Sequence, residues 1–276
     1  MENFQLSLLC KIIGIGSASG LVYHDDKLFI ISDSSNYLYE YNLSDEKLNK
    51  IALIDNPKEN IVKKDKPDFE SITLSKNHIT IIGSGSTQNR NLLVRYDTDS
   101  KSYISKDIGG IFSLIKKQYP INDNEFNIEG LISKDGVNYL FQRGNGLSGK
   151  NGIFYYNETK EKPIVTFNPF DLPKIKNIPA TFTDAVLVDG IIYFLATAED
   201  TTSTYLDGEV LGSLIGSIDL KTMKLINTIQ ITDKHKFEGL TLYKETNSKI
   251  EFLLCEDNDT EKLESDIYKL VLEKAQ

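Results

Sequence analysis

The sequence predicts an all-β fold, a five-bladed β-propeller made of four-stranded antiparallel blades. A unit consisting of a small residue, a short apolar strand, a turn and a second strand recurs five times in the 276 residues. The small residues lie 51, 59, 55 and 54 positions apart, which is typical of one repeat per blade. In addition, one strand at the start of the chain belongs to no unit. The small residues that mark the units are Gly20, Ser71, Gly130, Ala185 and Gly239.

Each unit opens with a β-hairpin. Two of the turns contain Asp135-Gly136 and Asp189-Gly190. Asp-Gly between two apolar segments is a strong hairpin signal, because the tight turn needs positive φ angles. The five hairpins are predicted over residues 19–33, 70–84, 129–143, 184–197 and 238–256.

Further strands complete the blades. Third strands are predicted over residues 37–41, 91–96, 152–156, 214–218 and 266–270, and fourth strands over 48–54, 101–108, 163–167 and 224–231. The fifth unit ends without a fourth strand, whereas residues 4–12 form a strand without a hairpin partner. We therefore expect the N-terminal strand to complete the last blade and close the ring. On this interpretation residues 1–276 form a single propeller domain.

Two segments depart from the repeat. Residues 111–119, just before Pro120, have the apolar spacing of a short helix between blades two and three. We interpret this helix as a packing insertion, with a lid as the alternative. Residues 198–213 are polar and follow an inner strand, so we expect a loop that overhangs one face of the ring.

Composition excludes several kinds of partner. The 40 acidic and 31 basic side chains give a net charge of −9, and the basic residues form no stripe, so nucleic acid is not an expected partner. No apolar run approaches the roughly 20 residues that cross a bilayer, and the N-terminal residues lack a signal-peptide pattern. We expect a cytoplasmic monomer without membrane association, unless an export signal was removed. The two cysteines indicate no disulfide framework.

The repeat places polar residues around the central channel. The innermost strand of each blade lines the channel, so a residue at one repeat position appears once per blade around the axis. The residues predicted at this position are Ser19, Glu70, Glu129, Asp184 and Glu238. The ends of the second strands add another layer, predicted to contain Asp33, Ser84, Arg143, Thr197 and Glu256, with Asp257 beside the last.

Such a ring of acids needs protonation, a counter-charge or a bound cation, because like charges a few ångströms apart repel by several kcal/mol even at an effective dielectric of about 20. Oxygen ligands in irregular geometry suit Ca²⁺. The three histidines occupy unmatched positions, so they predict no zinc site. The alternative is that the acids solvate a wet channel or accept hydrogen bonds from backbone amides. The candidate calcium ligands are Asp33, Glu70, Glu129, Asp184, Glu238 and Glu256.

The chemistry that such a site permits is metal-assisted hydrolysis of a small anionic or ester substrate. A cation would polarise a phosphoryl or carbonyl oxygen, Glu129 or Glu238 would position or deprotonate water, and Arg143 would neutralise developing charge. For Arg143 the alternative is a counter-ion for the acidic ring. For the whole protein the alternative is a non-enzymatic propeller whose ion is structural and whose face binds a protein or small ligand.

The motifs also resemble those of a known group. Ser19-Gly20-Leu21, Phe69-Glu70-Ser71, Ile128-Glu129-Gly130 and Phe237-Glu238-Gly239 are similar to the repeats of the five-bladed calcium-activated nucleotidases, the apyrases. They also resemble esterase-like phytase and uncharacterised bacterial propellers. The resemblance to apyrases implies that Glu70, Glu129 and Glu238 bind calcium or water. It implies further that Arg143 contacts a substrate phosphate.

Overall fold

The strands of the chain form five four-stranded antiparallel sheets, which are the blades of a five-bladed propeller. The computed structural model describes residues 3–201, 203, 208–257 and 262–274. The fold class predicted from the repeat is thereby confirmed. No helix among the described residues is long and apolar enough to cross a membrane.

The chain enters each blade at its inner strand and moves outwards. It begins with β1 (Phe4–Ile13) and then builds blade one from β2 (Ala18–His24), β3 (Lys27–Ser32), β4 (Tyr37–Asn42) and β5 (Leu48–Ala52). Blade two contains β6 (Phe69–Ser75), β7 (His78–Gly83), β8 (Leu92–Asp97) and β9 (Ser102–Asp107). After helix α1 (Gly109–Gln118), blade three contains β10 (Ile128–Lys134), β11 (Val137–Gln142), β12 (Gly152–Asn157) and β13 (Thr166–Pro169).

A small hairpin, β14 (Lys174–Ile175) and β15 (Ile178–Pro179), precedes the last two blades. Blade four contains β16 (Thr181–Val188), β17 (Ile191–Asp200), β18 (Glu209–Asp219) and β19 (Lys224–Thr232). Blade five contains β20 (Phe237–Glu245), β21 (Lys249–Glu256) and β22 (Glu264–Glu273), and β1 is its outer strand.

The first strand of the chain closes the ring. β1 pairs antiparallel with β22, from Phe4 opposite Leu272 to Ile13 opposite Glu264. This pairing joins the two ends of the chain in one blade and confirms the closure predicted from the missing fourth strand.

The hairpin turns have the predicted geometry. Asp135 and Gly136 have φ angles of 51° and 76°, and Asp189 and Gly190 have φ angles of 47° and 83°. Two consecutive positive φ angles match the right-handed twist of the flanking strands, and they are tolerated by aspartate and by glycine, which has no Cβ. The short turns therefore fix the register of the first two strands in these blades.

The inner strand of every blade carries a β-bulge, and the bulge determines which side chain enters the channel. In four blades the extra residue is the predicted one: Ser19, Glu70, Glu129 or Glu238. In blade four the register shifts between Phe182 and Asp184, so the extra residue is Thr183. The structure therefore places Thr183, and not Asp184, at the repeated position.

Hydrogen bonds between blades support this assignment. Ser19 Oγ donates to the carbonyl oxygen of Phe69 at 2.5 Å, and Thr183 Oγ1 donates to that of Phe237 at 2.7 Å. In both cases the bulge hydroxyl of one blade binds the residue that precedes the bulge of the next blade. Asp184 lies one residue further along β16, where the side chain points away from the channel position.

Apolar side chains fill the space between neighbouring blades. The residue before each bulge is completely buried, and these residues are Ala18, Phe69, Ile128, Phe182 and Phe237. Helix α1 packs Phe112 and Ile115 into the interface of blades two and three, as expected for a packing insertion. Residues 198–200 and 209–213 of the predicted loop are strand, because β17 and β18 extend the hairpin of blade four. Residues 202 and 204–207 of that segment lie outside the described residues.

Candidate functional site

The inner strands surround a polar cavity of about 260 Å³. We call it the axial cavity. It is lined by acidic residues Asp33, Asp68, Glu70, Glu129, Glu199, Glu238 and Asp257, by basic residues Lys63, Lys66, Arg90, Arg143 and Lys236, and by Ser17, Ser34, Ile61, Asn127, Asn145 and Ser203. The described residues of the lining include seven acids and five bases, a formal surplus of two negative charges.

Lys66 is the counter-ion of the acids from blades one and two. Its ammonium group contacts the carboxylate of Asp33 and lies 2.9 Å from Oδ1 of Asp68. Arg90 Nη1 lies 2.7 Å from the other oxygen of Asp68, and Ser84 Oγ donates to the same oxygen. Lys66 belongs to the segment between β5 and β6, so a connection outside the blades delivers this charge to the channel.

Arg143 joins three blades. Its Nη1 lies 3.2 Å from Oε1 of Glu129 and 3.6 Å from Oε1 of Glu238, and its Nη2 lies 2.6 Å from Oε2 of Glu199. The side chain is buried, and its Nε has no hydrogen-bond partner among the described residues. This geometry is the one expected for the counter-ion alternative, since both ends of the guanidinium group are bound to protein carboxylates.

Lys236 forms the remaining buried pairs. Its ammonium nitrogen lies 3.0 Å from Oε1 of Glu238 and 3.1 Å from Oδ2 of Asp257. Lys236 directly precedes Phe237, the residue before the bulge of blade five. Asp68 and Asn127 occupy the same position in blades two and three, so this position forms a second polar layer of the cavity.

Glu70 differs from the other acids because its carboxylate forms no hydrogen bond or ion pair with a described residue. Burial raises the pKa of Glu70 well above its usual value, and repulsion from Asp68, Glu129 and Glu238 adds to the effect. Burial also raises the pKa of Glu129, but the positive charges of Arg143 and Lys236 oppose that change. Burial raises the pKa of Glu238 well above its usual value too, although the positive charges of Lys236 and Arg143 oppose the change. Glu70 therefore favours its protonated form.

The sequence-predicted calcium ligands fall into three groups. Asp33 and Glu70 lie together with Asp68, and these three residues each offer a carboxylate oxygen within 4.8 Å of the others. Glu129 and Glu238 line the same cavity, but they lie outside that group of described residues. Asp184 and Glu256 do not belong to the lining.

Asp184 and Glu256 have other partners. Asp184 Oδ1 accepts a hydrogen bond from its neighbour Ala185 N–H, and Oδ2 accepts one from Leu240 N–H, both at 2.7 Å. Burial raises the pKa of Asp184, and these two backbone donors oppose the change. Glu256 Oε1 lies 2.7 Å from Nδ1 of His235. Asp184 thus has the backbone contacts foreseen as the alternative to an ion site.

In blade five, Asp257 rather than Glu256 corresponds to Arg143. Arg143 N–H donates to the carbonyl of Asn127 at 2.9 Å, and Asp257 N–H donates to that of Lys236 at 3.1 Å. Each bond joins the residue after the second strand to the residue two before the bulge. The second-strand layer is therefore displaced by one residue from the sequence prediction in this blade.

Sequence reasoning missed six charged residues of the cavity. Asp68 and Lys236 could have been found by extending the repeat by two residues towards the N-terminus, because they precede the buried residue of each motif. The other four lie in the connection between β5 and β6, in a short 3-10 helix (Gln88–Arg90) and at the end of β17, where no repeat predicts them. These four are Lys63, Lys66, Arg90 and Glu199.

Comparisons with known proteins establish a family and a fold. The chain matches the model of the Family of unknown function (DUF6929) over residues 14–272, and it belongs to this family. A search of curated proteins gives no match. The chain is similar to glutaminyl cyclase from Myxococcus xanthus, at 10% identity and a TM-score of 0.57 over 98% of this chain and 97% of that one. It is also similar to a thermostable family-43 glycoside hydrolase, at 12% identity and a TM-score of 0.51 over 96% and 94%. At these identities the likeness shows the propeller fold.

Proposed function

We propose that this member of the family binds a divalent cation, Ca²⁺, in the axial cavity through Asp33, Asp68 and Glu70. The observation that carries the proposal is the convergence of three carboxylate oxygens within 4.8 Å of one another. A Ca²⁺ ion binds oxygen ligands at about 2.3–2.6 Å, so ligands on opposite sides of one ion are separated by about 4.8 Å. The donor set contains oxygen atoms alone, which favours calcium over zinc.

The carboxylates have oxygens to offer. Glu70 accepts no hydrogen bond from a described residue, and Oδ1 of Asp33 is buried and has no hydrogen-bond partner in the part of the chain that the structure describes. Lys66 is the competitor, because its ammonium group already contacts both Asp33 and Asp68. Calcium binding therefore requires the Lys66 ammonium to move away from at least one carboxylate.

We propose further that the occupied site hydrolyses a small phosphate or ester, in line with the resemblance of the motifs to apyrases. Bound calcium would supply a Lewis acid for the phosphoryl or carbonyl oxygen. Glu129 and Glu238 are bound to Arg143 through Oε1, so Oε2 of each is available to orient a water molecule. Arg143 and Lys236 supply positive charge beside these glutamates.

Thermal unfolding of chelator-treated protein tests the ion site. A ligand that binds the folded state stabilises it by RT ln(1 + [L]/Kd), which is about 2.7 kcal/mol at one hundred times Kd. We expect Ca²⁺ to raise the melting temperature of the wild type and of Glu256→Gln, the matched control outside the cavity. Asp33→Asn should lose the response. A melting temperature that is unchanged by millimolar Ca²⁺ would contradict the proposal.

Release of phosphate and of alcohol from generic phosphate and ester substrates tests the hydrolysis. Activity should depend on Ca²⁺ and disappear in Asp33→Asn while persisting in Glu256→Gln.

One observation favours a second candidate, a propeller that binds a ligand without catalysis. The buried cations Lys66, Arg143 and Lys236 already neutralise much of the acidic lining. Ligand binding without turnover would support this second candidate.

A further inference from the structure

A second cavity, of about 560 Å³, lies between blades two and three. We call it the interblade groove. Its lining includes Lys76 in the turn between β6 and β7, and Asp135 and Gly136 in the turn between β10 and β11. The axial cavity lies at the other end of these hairpins, where Glu70 and Glu129 form the bulges. The two cavities share no described lining residue, so the interblade groove is a separate site.

The register of blade two explains where the groove opens. Ile82 on β7 pairs with Leu93 on β8, and both are buried in the apolar interface with blade three. Side chains on one face of a strand recur at every second residue, so the next pair on this face is Thr80 with Arg95. Arg95 is in turn opposite Ile104 on β9. A polar pair therefore takes the place of apolar side chains at the point where the groove begins.

Thr80 and Arg95 both lack a partner in the part of the chain that the structure describes. Thr80 is 7% exposed, yet its hydroxyl forms no hydrogen bond with a described residue. The half-buried guanidinium group of Arg95 forms no ion pair or hydrogen bond with one either. Asp97, two residues along β8, is already bound, because Oδ1 accepts two backbone N–H groups at 3.0 and 2.7 Å and Oδ2 lies 3.2 Å from Nε2 of His78. Since buried polar groups are normally hydrogen-bonded, these donors suit a ligand.

The charges that line the groove balance. Besides His78, the described lining contains three acidic and three basic side chains, which are Asp97, Asp135, Glu158, Lys76, Arg95 and Lys134. A monoanion therefore gives the occupied groove a formal net charge of −1, whereas a dianion such as a phosphate monoester gives −2. Because like charges repel more strongly where water is partly excluded, this balance favours a monoanion.

The donors of the groove fit a carboxylate. A guanidinium group presents two parallel N–H donors, which match the two oxygens of a carboxylate. Thr80 lies directly opposite Arg95, and such residues have Cβ atoms about 4.5–5.5 Å apart, so its hydroxyl supplies a third donor. Ile104, on the other side of Arg95, is 66% exposed and offers apolar surface to a hydrocarbon group.

We propose that the interblade groove binds a small monocarboxylate with a hydrocarbon body. Arg95 and Thr80 bind the carboxylate, and the hydrocarbon part packs on Ile104. A volume of about 560 Å³ lies within the range of small-molecule sites. This site is independent of the cation and of the hydrolysis proposed for the axial cavity.

Titration of the full chain, followed by the NMR signals of the ligand, tests the proposal. The probes are hexanoate and phenylacetate, each paired with its neutral primary amide, in chloride buffer at equal ionic strength. We expect at least one carboxylate to bind, and its amide to bind roughly tenfold more weakly, because hydrogen bonds to a charged group are lost. No binding by either carboxylate, or equal binding of a carboxylate and its amide, would overturn the proposal. Tighter binding of phenyl phosphate than of phenylacetate would overturn the choice of a monoanion.

Variants locate the site. Arg95→Met should weaken carboxylate binding roughly tenfold, and Thr80→Val, which keeps the shape of the side chain, should weaken it about threefold. Lys224→Met removes the same charge from an exposed position of β19 outside the groove and should retain binding. Circular dichroism establishes that the variants fold, and Thr80→Val provides the test if Arg95→Met does not. Unchanged binding in Thr80→Val and in folded Arg95→Met would refute the site.

Calcium separates this site from the axial cavity. Carboxylate binding should have the same Kd in chelator and in millimolar Ca²⁺, because the two cavities share no described lining residue. Binding that requires Ca²⁺ would assign the carboxylate to the axial cavity and overturn the proposal. A protein that binds the carboxylate but shows no response to Ca²⁺ would refute the calcium site and leave the interblade groove supported.

Discussion

Replacement of Glu70 by Gln should change how the stability of the protein depends on pH. Burial and the neighbouring carboxylates raise the pKa of Glu70 in the folded chain well above its value in the unfolded chain. The folded state then holds a proton that the unfolded state has lost, so stability falls as pH rises above the ordinary pKa of a glutamate, about 4.3. The decline continues until pH reaches the folded-state pKa. Gln has nearly the same shape but no proton to lose.

The magnitude follows from linkage. While one group is protonated in the folded state and ionised in the unfolded state, the free energy of unfolding falls by about 1.4 kcal/mol per pH unit. The wild type should therefore lose up to about 2.7 kcal/mol relative to Glu70→Gln between pH 5 and pH 7. For a chain of this size, that corresponds to a difference in melting temperature of roughly 5–10 °C.

Urea unfolding of both proteins in chelator, at half-unit steps from pH 4.5 to pH 8, measures this difference. The exposed Glu209 supplies the control, since Glu209→Gln should give a curve parallel to that of the wild type. Parallel curves for the wild type and Glu70→Gln would show that Glu70 ionises normally in the folded protein. The reasoning from its burial and missing partner would then be refuted.

Three further variants or reactions probe the surroundings of the site. Asp184→Asn should destabilise the protein by about 1–3 kcal/mol in urea unfolding, because the amide offers one acceptor oxygen to two N–H donors. The variant should keep the rise in melting temperature with calcium, and loss of that rise would show that Asp184 belongs to the calcium site. Gly239→Ala should cost about 1–3 kcal/mol in the same assay, because its Cβ would lie 2.5 Å from Cys255 Sγ and from a side-chain carbon of Leu21; unchanged stability would show that the blades can separate there. In the native protein at pH 8, both thiols should react with Ellman's reagent far more slowly than in protein unfolded by urea. The reason is that burial raises the pKa of Cys10 to about 11 and that of Cys255 well above its usual value. Fast labelling of the native protein would contradict this expectation.

The propeller could be predicted because its information is local and repeated. Each hairpin carries its own turn signal, and Asp135 and Asp189 adopt the positive φ angles that their Asp-Gly sequences indicated. Five copies of the same signal also fix the number of blades, which no single hairpin could do. The closure of the ring by β1 could be predicted by elimination, because β1 had no partner strand and the fifth blade lacked a fourth strand.

The ring of acids was harder to place because a bulge shifts the register by one residue. In blade four, either Ala185 or Asp184 can be aligned with the small residues that follow the bulge in the other blades. The two alignments change the repeat spacing by one residue, which is less than the variation of the spacing between the other blades. In a strand, one residue of slip moves a side chain to the opposite face. The signal that resolves it is the buried residue before the bulge, because Phe182 aligns with Phe69 and Phe237 and assigns the channel position to Thr183.

The counter-charges could not be read from the repeat. Lys66 and Glu199 reach the cavity from a connection and from the end of a long strand, where their distance from the channel depends on tertiary structure. A ring of acids taken alone predicts a metal ion, whereas the same ring beside Lys66, Arg143 and Lys236 has most of its charge compensated. A cation that enters the cavity must therefore displace the side-chain cations Lys66, Arg143 and Lys236 from the carboxylates or bind beside them.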